Sequence, residues 1–89
     1  MREKDIDHLR RTRDIDGLTR LLGDPDEVIR MTAAEALGTV GDERTLDPLR
    51  HLKFADPNAD VRRAASLAHA RVAGRLAEKK DVERMHLET

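Results

Sequence analysis

The stretch Asp24 to Gly38, DPDEVIRMTAAEALG, joins helix-start residues to an apolar stripe. Asp24 can cap a helix, Pro25 suits the first helical position because its missing N–H costs nothing there, and Glu27 completes a capping box. Ile29, Ala33, Ala36 and Val40 then recur at spacings of four, three and four, the period of one helix face, widened by Val28, Thr32 and Leu37. Gly38 and Gly41 mark the exit. A second copy begins at Asp56-Pro57, where Ala59 leaves the capping box incomplete, and its Val61, Ala65, Ala68 and Val72 repeat the spacing.

Upstream, Asp14 can cap a short helix carrying Ile15, Leu18, Leu21 and Leu22, which Gly23 would close in the left-handed conformation. Before it, Arg2 to Arg11 predicts a short amphipathic helix with Ile6 and Leu9 as its apolar pair. Downstream, Pro48 belongs in a first turn, which makes Thr45 a better cap than Asp42. A helix follows from about Leu46 to Lys53 with Leu46, Leu49 and Leu52 on one side. The helix from Pro57 continues through Leu76 to about Lys79.

Asp24 and Asp56 lie 32 residues apart, and that offset superposes Pro25 on Pro57, Ile29 on Val61, Arg30 on Arg62, Ala33 on Ala65 and Ala36 on Ala68 without gaps. The shorter helices repeat as well, since Asp14-Ile15-Asp16-Gly17-Leu18 matches Thr45-Leu46-Asp47-Pro48-Leu49. Asp81-Val82-Glu83-Arg84-Met85 fits the same template more loosely and predicts a break near Lys80. The expectation is one domain over 1–89, built from helix pairs at about 2–22, 24–54 and 56–88. Helix pairs at this period form an all-α solenoid, in which each unit buries its apolar face only against its neighbours.

The Asp-Pro starts, the pairs Ile29-Arg30 and Val61-Arg62, and Ala36-Leu37-Gly38 with Gly41-Asp42 beyond resemble the short HEAT-like repeats of the phycobilisome-lyase type. That resemblance spans about Asp14 to Val72 and implies a short right-handed superhelix. His69 and Ala70 stand where the first copy has Leu37 and Gly38. Missing aromatics disfavour tetratricopeptide repeats, and the lack of a Thr-Pro-Leu-His signature disfavours ankyrin repeats.

Composition narrows the chemistry. The 89-residue chain is 38% apolar, with one aromatic residue, Phe54, and no cysteine. Disulfides, thiolate metal sites and a cysteine nucleophile are therefore excluded, and a reducing, cytoplasmic setting is expected. The N-terminal MREKDIDHLRRTRD has no apolar signal region, and no run reaches the roughly 20 apolar residues of a membrane span. With 17 basic against 18 acidic residues, no net field draws the molecule to nucleic acid or lipid.

Several local patterns are candidate sites. By the resemblance, Arg30 and Arg62 would form an Asp-Arg ladder between adjacent repeats, and the second helices would line a concave face. On those helices Asp16 with Arg20, and Asp47 with His51, lie four residues apart and point away from the leucine stripe. Together with Arg50, and with Arg13, Arg44 and Lys80 ahead of the caps, they form a charged row. This is the expected contact surface.

The segment from Val61 to Lys80 is basic, with Arg62, Arg63, Arg71, Arg75, Lys79 and Lys80 against Glu78 alone. Nucleic acid is the alternative ligand there. It is disfavoured because no aromatic can stack a base and acids follow at Asp81 and Glu83. His8, His51, His69 and His86 lack the spacing of a helical metal site, and none precedes a Glu as in iron-binding HEAT-like hydroxylases. No cofactor or metal is expected. His69, in the place of Leu37, is a candidate half-buried histidine, whose packing would respond to pH near 6.

The tail residues Leu76, Val82, Met85 and Leu87 can cover the last repeat or pair with a second copy. The function expected from all this is a non-enzymatic protein–protein interaction scaffold. The remoter alternative, by family resemblance alone, is an accessory subunit of a bilin-lyase-type or other enzyme.

Overall fold

The computed structural model describes the backbone of residues 3–88 and the side chains of residues 5–80. Among the described residues there are five α-helices, one 3₁₀ turn and no strand. In chain order these are α1 (Glu3–Arg11), α2 (Ile15–Leu21), α3 (Glu27–Val40), the 3₁₀ turn (Glu43–Thr45), α4 (Leu46–Ala55) and α5 (Ala59–Glu88). The short all-α solenoid is the fold observed.

Helices α2, α3 and α5 begin where side-chain acceptors satisfy free N–H groups. Asp14 caps α2 by accepting from the Gly17 N–H at 2.9 Å. At α3 the cap lies two residues later than its Asp-Pro pair suggests. The Asp24 carboxylate accepts from the Asp26 N–H, and Asp26 accepts from the Val28 N–H, both at 2.8 Å. Pro25 therefore sits in the turn before the helix. Glu27 is the first helical residue and closes no capping box; its carboxylate instead accepts from the Asn58 side chain at 2.8 Å.

The α5 start repeats this relay, with Asp56 accepting from the Asn58 N–H and Asn58 from the N–H groups of Asp60 and Val61. Asp42, passed over as a cap for α4, caps the 3₁₀ turn through the Arg44 N–H. Thr45 occupies the N-cap position of α4 without a side-chain cap bond; its buried hydroxyl donates to the Asp42 carbonyl at 2.7 Å.

Two turn assignments also change. No glycine has positive φ, so Gly23 does not close α2 in the left-handed conformation. That conformation belongs to Arg13, at φ 55°, in the reversal between α1 and α2. Gly38 does not mark an exit, since it lies inside α3 and is buried. A Cβ there would stand 3.2 Å from both Cα and Cβ of Ala68, so glycine is what lets α5 approach so closely.

Helices α1, α3 and α5 lie side by side in one layer, with α2 against α3 and α4 against α5 in the other. Their shared core holds Ile6, Ile15, Leu18, Ile29, Leu37, Leu49, Val61, Ala65 and Val72. The break near Lys80 is absent. α5 runs unbroken from Ala59 to Glu88, about 45 Å at 1.5 Å per residue, because Glu78 to Asp81 offers no glycine, proline or cap that outcompetes helix continuation. The region read as a third helix pair is therefore a single helix. Leu76 packs against the core, whereas the side chains of Val82, Met85, Leu87 and His86 lie outside the described residues. No helix among the described residues is long and apolar enough to cross a membrane.

Candidate interaction surface

The strongest polar structure in the fold is the contact between Arg30 and Asp56. Arg30 lies one turn into α3, and its Nε and Nη2 donate to the Asp56 carboxylate of the following repeat at 2.7 and 3.3 Å. Its Nη1 donates back to the carbonyls of Asp24 and Pro25 at 2.8 and 3.0 Å. The Asp56 side chain is only 2% exposed and that of Arg30 14%. Burial pushes the Asp56 carboxyl up, but the Arg30 bond, the Asn58 N–H and the nearby guanidinium charges prevail and hold it below the usual carboxylate range. This is the Asp-Arg ladder between repeats. Arg62 makes the matching backward bond, from Nη1 to the Asp56 carbonyl at 2.7 Å.

A second polar device was not legible from spacing. Arg75 of α5 reaches the C-terminal end of α3 and donates to the carbonyls of Gly38 and Gly41 at 2.6 and 3.0 Å. Those are carbonyls the helix end leaves free, and a cation there also suits the helix dipole.

The charged row sits on the other layer. Asp16, in the first turn of α2, is 3.6 Å from Arg44, which also pairs with Asp42 at 3.0 Å. At the far ends of the same helices, Leu22, Gly23 and Pro25 share a groove of about 410 Å³ with His51, Leu52 and Pro57. The C-terminal end of α2 and the last turns of α4 thus border one groove, and the start of α2 meets the turn that leads into α4. The Asp42 carboxyl is held low by its Arg44 bond, despite some burial.

Asp16, Arg20, Arg44, Asp47, Arg50 and His51 are all exposed. The pairing differs from the expected i,i+4 scheme. Asp16 pairs with Arg44 rather than Arg20, and Asp47 with Arg50, at 3.8 Å, rather than His51. Arg20 and His51 form no ion pair among the described residues. Arg44 on the 3₁₀ turn reaches the carboxylate of Asp16, and Arg50, one turn on in α4, reaches that of Asp47.

Arg62 and Arg75 are held by backbone carbonyls and Arg63 pairs with Asp60. Arg71 is exposed, with its stem beside Gly38. His69 takes the Leu37 position and is half-buried, and its Nε2 has no hydrogen-bond partner among the described residues. Burial pushes its pKa down, Lys53 and Arg50 add to this, and Asp47 opposes them.

Among the described residues no group of three metal-ligating side chains comes together. No match was found among curated proteins or among solved structures. The family model for HEAT repeats matches residues 4–71, and repeats of this kind generally mediate protein–protein interaction. With the ladder, the paired helices and a match over most of its length, the chain belongs to the HEAT repeat family.

Proposed function

We propose that the protein is a non-enzymatic interaction module, working in the cytosol, that offers the α2–α4 face to a partner protein of complementary charge. The observation that supports this is the Asp16–Arg44 contact, which joins the start of α2 to the turn that leads into α4. Asp16, Arg20, Asp47, Arg50 and His51 are exposed, and His51 borders the groove shared with the C-terminal end of α2. Exposed pairs such as these contribute about 1 kcal/mol or less to folding, so the row is available for recognition at little cost in stability. Charge on such a face acts mainly on specificity and association rate.

Affinity capture from cells of the source organism, quantified with the wild-type chain and with Arg20→Glu plus Arg50→Glu, tests the face. A partner retained by the wild type and lost from the double variant is expected. Capture of the same partner at equal yield by both would rule the face out. The nucleic-acid reading draws little support from arginines already held by backbone carbonyls, and the lyase-accessory reading rests on fold analogy alone.

A further inference from the structure

The 32-residue repeat says what should cover the open side of α5. On α3, the side that receives α5 carries Arg30 and Gly38, with Gly38 buried against Ala68 of the arriving helix and Ala34, one turn before Gly38, buried as well. The equivalents on α5 are Arg62, Ser66 and Ala70. Ser66 and Ala70 are exposed, and Ala73 and Ala77 continue the same side, so a helix could pack there over small side chains, held slightly farther off than α5 from α3 by the Ala70 Cβ that Gly38 lacks. Arg62 shows the vacancy in charge. It makes the backward bond of the ladder, yet it has no counterpart to the Asp56 carboxylate that Arg30 holds, and no ion pair among the described residues.

We infer that this side of α5 is a docking site for a helix of another polypeptide that enters, as α5 does, with an aspartate in the turn ahead of its first residue. The carboxylate would take the Arg62 guanidinium in the two-pronged geometry of Arg30 on Asp56, and a small residue about three turns later would lie over Ala70. Antiparallel pairing of two α5 helices is a poorer occupant. Lys80 lies about five turns beyond Arg62 on the same side, so such a dimer would set like charges against each other. The surface is separate from the α2–α4 face and does not rest on that assignment.

The test uses the full chain and a labelled peptide of residues 56–80, the one segment seen to fill such a site. The peptide is side-chain cross-linked between positions 63 and 67 and shown to be helical by circular dichroism. Fluorescence anisotropy at low salt should give saturable one-to-one binding. Affinity should fall at least tenfold with an Asp56→Asn peptide, with Arg62→Met in the protein, and with Ser66→Glu, an exposed substitution that leaves the fold intact. Arg20→Glu plus Arg50→Glu in the protein should leave this binding unchanged. Absence of saturation up to millimolar peptide, or equal affinity for all three variants, would overturn the proposal.

Discussion

Helix α3 is flanked by two neighbours of the same layer, and the two seams are built differently. Against α5 it is pinned at both ends, by Arg30 on Asp56 at one and by Arg75 on Gly38 and Gly41 at the other, with backbone-close packing at Ala68 between them. Against α1 the main contribution is burial of Ile6, and a shallow groove of about 360 Å³ remains, lined by Ile6, Arg10, Thr32, Glu35 and Thr39. The Asp7 carboxylate on that side is occupied within α1 by Arg10 and Arg11. Sequence repetition does not guarantee equal interfaces. The seam whose polar groups are buried has a single register, whereas the aliphatic seam tolerates change.

The largest effect should come from Asp56→Ala, which strands a largely buried guanidinium and is expected to cost about 3 kcal/mol. The equivalent Asp24→Ala, whose carboxylate only accepts from the Asp26 N–H, should cost about 1 kcal/mol. Equal losses in urea unfolding would erase the distinction between the seams. Next, Gly38→Leu should cost about 2 kcal/mol by overpacking against Ala68, while Thr39→Leu at the α1 groove should change stability by about 0.5 kcal/mol or less.

The smallest effect concerns pH. Because the His69 pKa is lowered on folding from 6.5, the unfolded chain takes up the proton first. The stability contributed by neutral His69 is therefore full above pH 6.5 and is lost as pH falls from there toward the folded value. The wild-type unfolding free energy from urea titrations should drop slightly in that window, and His69→Leu should flatten the profile. The Asp56 contribution is separable, since that lowered carboxyl loses its share only as pH falls below 3.8.

Legibility followed the range of the interactions. The 32-residue offset and the leucine stripe of α4 were open to reading because periodicity and repetition record them directly, whereas the ladder role of Arg30 came from the family resemblance. Helix starts were misplaced by two residues because two acidic side chains in succession, Asp24 then Asp26, each accept the N–H two positions on, and spacing alone does not choose between them. The Asp16 partner was misread because i,i+4 logic ignores an arginine brought in by a neighbouring element, and the Asp47 partner because Arg50 at i+3 takes its carboxylate ahead of His51 at i+4. Gly38 reads as punctuation in one dimension and acts as clearance in three. Arg75 carried no signal, because its acceptors are backbone carbonyls 34 and 37 residues earlier.

That last contact bears on how the chain folds during synthesis. The last turn of α3 receives its carbonyl donors from a residue made 37 positions after Gly38, so a nascent chain ending within α4 carries α3 with a frayed end. Completion of α5 settles that end, the ladder and the close packing together. The C-terminal end of α3 is thus completed only when Arg75, 34 and 37 positions farther along the chain than its two acceptors, arrives.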